Sequence, residues 1–275
     1  MNYKTVMVSL ALDKSNDACL AVAGDIAERF GARVIGIAAS DLRPSLYFAE
    51  GEFAHKALDE ESAAIRGRLA ELEADFRASI ESRAKSVEWR SILGLPVPYI
   101  MREVRGADLL VVGARAEALV DPCVAADPSD LLMQAGRPVM VVPPGVQWLD
   151  FRSALVAWKD VREARRAVFD ALPILATAKE VTIAEIPERG VPCADARSHV
   201  EDVAAWLRAH GILATTVVPE RTGGVSGQIE RIAADVGAGL VIAGAYGHSR
   251  FREWMLSGVT LHLATQSGRC AFLSR

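Results

Sequence analysis

The residues best placed to do chemistry form one segment, Gly244-Ala-Tyr-Gly247-His-Ser-Arg-Phe-Arg-Glu-Trp-Met-Leu-Ser257-Gly258-Val-Thr260. Two glycines three apart allow the backbone to approach a ligand closely, or to turn through positive φ. Ser257-Gly258 runs into Val259–Thr265, which reads as the start of a helix. A helix N-terminus offers unpaired N–H groups and partial positive charge, which suits a phosphate. Arg250 and Arg252 add cations, and His248 lies inside the segment. It is therefore read as an anion site with Gly244, Gly247, His248, Ser249, Arg250, Ser257, Gly258 and Thr260 as candidate contacts. The plain alternative is a glycine-rich turn between a strand and a helix.

Other chemistries lack their residues. The sequence has no Gly-x4-Gly-Lys-Ser/Thr loop, no HExxH and no Gly-x-Ser-x-Gly nucleophile elbow. No nucleophile or acid–base pair stands out, so no catalytic residue is expected. No cysteine or second histidine sits at metal spacing from His248, so no metal-ligating set is expected either. His55, His199 and His210 fall on helical stretches and read as surface or packing residues, and Gly237-Ala-Gly239 precedes a strand and reads as a turn.

The elements that must carry the segment emerge from an internal repeat. Lys4–Leu10 aligns with Arg152–Trp158, Leu109–Ala114 with Leu240–Ala245, and Gly136–Val141 with Gly268–Leu273, in the same order. Two copies of one domain are expected, a first over 1–144 and a second over 150–275, joined near Pro143-Pro144-Gly145. In each copy short apolar runs alternate with helical patterns. Strands are expected at Val6–Leu10, Val34–Ala39, Val87–Arg90, Leu109–Val112 and Val139–Val142, then at Ala154–Trp158, Val181–Ile186, Thr215–Val218, Leu240–Ala243 and Ala271–Leu273. Helices are expected near Asn16–Phe30, Ala54–Ala84 and Val97–Arg105, and near Glu163–Ala176, Ala196–His210 and Ser226–Val236. The Ala54–Ala84 stretch reads as an amphipathic helix with a solvated face. Apolar strands separated by helices imply an α/β fold: two tandem doubly wound domains, each a five-stranded mainly parallel sheet with helices on both faces. Ligands in such sheets bind beyond the carboxyl ends of the strands, where the strand order reverses.

The corresponding segment of the first copy, Gly113 to Ser129, has lost the glycines. Ala116 stands opposite Gly247, and Glu117, Asp121, Asp127 and Asp130 place negative charge where a phosphate would sit. Only the second copy is read as able to hold an anion.

The strand pattern with Gly-x2-Gly-x9 and a small-residue pair resembles the universal stress protein family, here as a tandem of two Rossmann-like, adenine nucleotide alpha hydrolase-like domains. The resemblance covers the whole chain for the fold and the second copy alone for the nucleotide motif. The family pattern continues as Gly-Ser/Thr, where this sequence has Ser257-Gly258 in reversed order. Nucleotide-binding members carry an Asp after the first strand; here Lys159 takes that place and Asp160 follows it. The resemblance implies an adenine nucleotide, ATP with Mg²⁺, in the second copy, with Asp160 as nucleoside contact. It implies binding rather than turnover, with at most slow incidental hydrolysis, and a structural first copy in which Asp13 caps the following helix. The alternative is a scaffold or interaction module without nucleotide. It also implies pairing of the two copies through their closing strands as an intrachain pseudo-dimer, and allows whole chains to dimerise.

Composition agrees with a globular protein. Of 275 residues, 51% are hydrophobic and 24% charged, and the net charge of −4 gives no basic face for nucleic acid or an anionic membrane. No apolar stretch approaches the ~18 residues of a spanning helix. Thr5–Leu12 is broken by Asp13 without a small-residue cleavage site, so no signal peptide is expected. Cys19, Cys123, Cys193 and Cys270 form no CxxC and read as isolated thiols. A reduced, cytoplasmic protein is the expectation.

Overall fold

The computed structural model describes residues 2–42, 52–114, 121–188, 193–245, 258–265 and 268–275, with residues 52–54 described by their backbone alone. The chain divides into two compact units. The amino-terminal unit comprises Tyr3–Ala135 and Pro144–Trp148; the carboxy-terminal unit comprises Met1–Asn2, Gly136–Pro143 and Leu149–Arg275.

The amino-terminal unit holds strands β1 (Thr5–Leu10), β2 (Arg33–Ser40), β3 (Val87–Leu93) and β4 (Leu109–Gly113). β1 pairs in parallel with β2 and β4, and β2 with β3, giving the order β3-β2-β1-β4. Helix α1 (Asp17–Phe30) ends at Gly31, whose φ of 62° gives the left-handed conformation that stops it. α1 packs against α2 (Glu52–Ile80), whose Ile65, Leu69, Leu72, Phe76 and Ile80 recur at helical spacing and are buried. The shorter α3 (Pro96–Glu103) and α4 (Pro128–Gln134) pack together. Right-handed crossovers in this strand order place α1–α2 and α3–α4 on opposite faces. The acids expected to repel an anion serve local structure: Asp127 caps α4 by accepting from the Ser129 N–H at 2.7 Å, and Asp121 accepts from the Cys123 N–H at 3.0 Å. Asp13 does not cap α1, because that position belongs to Asn16. Asn16 has no side-chain bond to the helix and ties back instead to the Ala11 N–H and carbonyl, each at 2.9 Å.

The carboxy-terminal unit holds β5 (Val139–Val142), β6 (Ser153–Trp158), β7 (Glu180–Glu185), β8 (Thr215–Val217), β9 (Leu240–Gly244) and β10 (Cys270–Ser274). β6 pairs in parallel with β7 and β9, β7 with β8, and β9 with β10; β5 joins β10 antiparallel. Its helices are α5 (Arg162–Asp170), the one-turn α6 (Leu172–Leu175), α7 (Cys193–Ala209), α8 (Val225–Asp235) and α9 (Gly258–Thr265). One continuous helix over Glu163–Ala176 was expected. Instead it is broken at Ala171-Leu172-Pro173, since a proline cannot donate into the preceding turn. Central strands are apolar on both faces, with Val156, Ile183, Val241, Ile242 and Phe272 buried, as a sheet covered on both sides requires.

No disulfide is formed among the described cysteines, and Cys19, Cys123 and Cys270 are buried. Burial pushes the Cys19 thiol up to about 12, although Lys14 pulls the other way, so it behaves as a small apolar side chain. No helix of the described residues is long and apolar enough to cross a membrane.

Candidate functional site

In the carboxy-terminal unit the order runs β8-β7-β6 one way from β6 and β9-β10-β5 the other, so the reversal lies between β6 and β9. A cavity of about 510 Å³ opens beyond the carboxyl ends of these strands. Ala157, Lys159 and Val161 contribute from β6 onward, Ala184 to Ile186 and Glu188 from β7 onward, and Ala243 and Gly244 from β9. Two helix N-termini converge on it, Gly224–Ser226 of α8 and Gly258–Thr260 of α9. Gly224 provides no side chain to cap α8, and that helix has no acid in its first turn, so its leading N–H groups keep their positive potential. Arg221 also lines the cavity, and Lys159 donates to Glu188 at 2.7 Å across the opening.

Of the residues expected from sequence, Gly244, Gly258 and Thr260 are therefore brought together on one cavity. Gly247, His248, Ser249, Arg250 and Ser257 lie outside the described residues. Asp160 does not line this cavity. The Val161 N–H bonds to the Lys159 carbonyl at 2.7 Å, closing a tight turn with Asp160 at its centre. The Asp160 carboxylate meets Arg165 and lines a second cavity, beside Trp158. Lys159, which stands at the position of the family's Asp, also lines the first cavity, and residues with no sequence signal complete it: Glu185, Glu188, Arg221 and Ser226, which form no local motif.

Gly244 is not a positive-φ residue; the described glycines that are include Gly223 and Gly237. Its lack of a side chain serves packing instead. A Cβ there would lie 2.4 Å from the Ala164 nitrogen and 2.6 Å from the Glu163 carbonyl carbon, so β9 and the start of α5 meet backbone to backbone.

Glu185, at the end of β7, is buried, and burial raises its carboxyl above the ordinary range, with His199 pulling partly back. His199 Nδ1 approaches both carboxylate oxygens, at 3.3 and 3.2 Å. Folded Glu185 holds its proton more tightly than it does in the unfolded chain. The stability it contributes therefore falls as pH rises from the usual carboxylate value, about 4.3, through the raised one. Glu185→Gln is expected to raise the unfolding midpoint relative to wild type increasingly from about pH 4 to neutrality, read by thermal melts across that range. A constant difference between the two melts would contradict a raised carboxyl.

The matching place in the amino-terminal unit is narrow among the described residues. Ser9, Lys14, Asn16, Val112 and Gly113 surround only about 10 Å³ among the described residues. Lys14 Nζ reaches over it to the Ala114 carbonyl at 3.4 Å, and the Asn16 bonds to Ala11 hold the loop in. The two copies share a sheet order around their first strands, and among the described residues the cavity there is about 10 Å³ in the first and about 510 Å³ in the second.

No family model matches the sequence, and no curated protein matches it. Solved structures do. A universal stress protein from Archaeoglobus fulgidus DSM 4304 superposes with a TM-score of 0.74 at 17% identity, covering 98% of each chain. The fold is that of a universal stress protein. A candidate universal stress protein from Pseudomonas aeruginosa UCBPP-PA14 matches with a TM-score of 0.60 at 15% identity, over 99% of this chain and 93% of that one. A functionally unknown protein from Pseudomonas aeruginosa PAO1 matches with a TM-score of 0.59 at 14% identity, over 99% and 92%. The universal stress protein likeness is thus one of fold over the full chain, including both units.

Proposed function

We propose that the chain is a stress-response protein that binds one adenine nucleotide, ATP with Mg²⁺, in its carboxy-terminal unit, the amino-terminal unit being structural. The observation that carries this is the contrast between the two copies, about 510 Å³ against about 10 Å³ at corresponding places. The larger volume lies in the range of small-molecule sites, about 300–1,000 Å³. Apolar Ala157, Val161, Ile186, Val225 and Ile229 would face the base and ribose, while the N-termini of α8 and α9 would receive the phosphates. Gly258 and Thr260 would bond the phosphates directly, and the segment holding Gly247, His248, Ser249, Arg250 and Ser257 would complete the cradle. Lys159 would leave Glu188 for a phosphate oxygen, a small cost for an exposed pair. Asp160, engaged with Arg165, is left out of the proposed contacts. Mg²⁺ would arrive on the phosphates, since no group of three or more metal-binding side chains occurs among the described residues. Binding rather than turnover is the proposed activity.

Gly258→Asp separates binding from folding. Among the described residues a Cβ at Gly258 would meet only Ser226 Oγ, at an ordinary 3.5 Å, and an acid in the first turn of a helix is favourable to the helix. The same carboxylate would face the phosphates. ATP affinity is expected to fall at least tenfold with the unfolding midpoint unchanged, measured by calorimetry beside a thermal melt. Undiminished affinity would place the phosphates elsewhere. The non-nucleotide scaffold reading draws on one observation, the Lys159–Glu188 pair spanning the opening, and absence of any ATP heat would favour it.

A further inference from the structure

The second cavity, about 460 Å³, lies between α5 and α7 of the carboxy-terminal unit. Its walls are mostly apolar: Trp158 at the end of β6, Val168 and Phe169 from α5, Val203 and Trp206 from α7. Two features set it apart from a packing gap. Trp158 is only 8% exposed, and its Nε1–H has no acceptor among the described residues. A buried N–H without a partner costs free energy, so such groups are rare unless something supplies an oxygen. Phe169 and Trp206 also remain 41% and 38% exposed at the same cavity, large aromatic surface left to water. His210 braces Trp206, its ring 4.2 Å away and its Nδ1 3.0 Å from the Trp206 carbonyl, so this wall is ordered without a ligand.

The charges around it select the ligand's character. Asp160 and Arg165 already satisfy each other, Asp202 is exposed, and Glu185 holds His199. This acidic balance disfavours an anion, while the orphan donor requires an acceptor. We propose that this cavity binds a neutral, planar aromatic molecule carrying one carbonyl, which stacks against Phe169 and Trp206 and accepts the Trp158 Nε1–H. Trp158 also lines the first cavity, so the two cavities share one wall, but the proposal does not rest on the nucleotide reading.

Nile red, a neutral fused aromatic with one ring carbonyl, is the probe, titrated by fluorescence into the full-length chain with and without saturating MgATP. The expected result is one dye per chain with similar affinity in both conditions. Trp158→Phe keeps an aromatic side chain but removes the donor and is expected to weaken binding by about tenfold, the scale of one hydrogen bond. Val203→Trp fills the cavity from a partly exposed helix position and is expected to abolish binding, with near-ultraviolet circular dichroism and the melting midpoint confirming the fold. Undiminished binding in Val203→Trp, or none in the wild type, would overturn the site. Equal binding in Trp158→Phe would overturn the carbonyl assignment, and loss of ATP binding alone would leave the proposal standing.

Discussion

Gly244→Ala is expected to destabilise the carboxy-terminal unit by about 3 kcal/mol, at the upper end of what overpacking costs. The new methyl would sit 2.4 Å from the Ala164 nitrogen and 2.6 Å from the Glu163 carbonyl carbon. Neither neighbour is a side-chain tip that can rotate aside; both belong to the first turn of α5. Relief requires α5 to lift from β9, which also opens the cavity those elements line. At about 2–4 °C per kcal/mol for a unit of this size, the midpoint should drop by roughly 6–12 °C. Gly113→Ala is the control at the matching place in the first copy. There a Cβ would find Cys19 Sγ and Lys14 Nζ at 3.4 Å, an ordinary contact, and a change within about 1 kcal/mol is expected. Denaturant unfolding of the two variants compares them directly, and equal costs would show that β9 and α5 do not meet as described.

Met140→Asp is expected to be more damaging still, and in an unexpected place along the chain. Met140 precedes the Pro143-Pro144-Gly145 turn, yet its strand, β5, belongs to the carboxy-terminal unit. Met140 is fully buried and faces Phe272 of β10. A carboxylate there has no charged partner in β5 or β10, both of them apolar around it, and burying it costs several kcal/mol. Hydrogen exchange should show protection lost across Cys270–Ser274 and Leu240–Gly244, the two strands that follow β5 in the sheet. Retained protection in β10 would mean that β5 does not hold β10 in place.

How far the sequence carried these conclusions depended on whether the signal was local. Apolar runs such as Leu109–Val112 and Leu240–Ala243 are strands because burial on both faces demands continuous hydrophobicity, and that pattern is legible residue by residue. The short α4 was missed: Pro128–Gln134 is seven residues, too few for a periodic pattern. Half of the candidate site was similarly out of reach. Gly244, Gly258 and Thr260 sit in one motif and could be found together. Glu185, Arg221 and Ser226 reach the same cavity from separate parts of the chain, an arrangement that only the sheet order creates. His199 read as a packing residue because its partner Glu185 lies fourteen residues away at the end of a strand. The place of Asp160 was decided by a turn of three residues, which no composition or periodicity reports.

The proposed function requires a nucleotide cleft in the second copy alone. Calorimetric titration of nucleotide-stripped, full-length protein with MgATP tests it most directly. A single site per chain is expected, abolished when Gly258→Asp places a carboxylate at the start of α9. Two sites per chain, or no heat at any of several temperatures from folded protein, would contradict it.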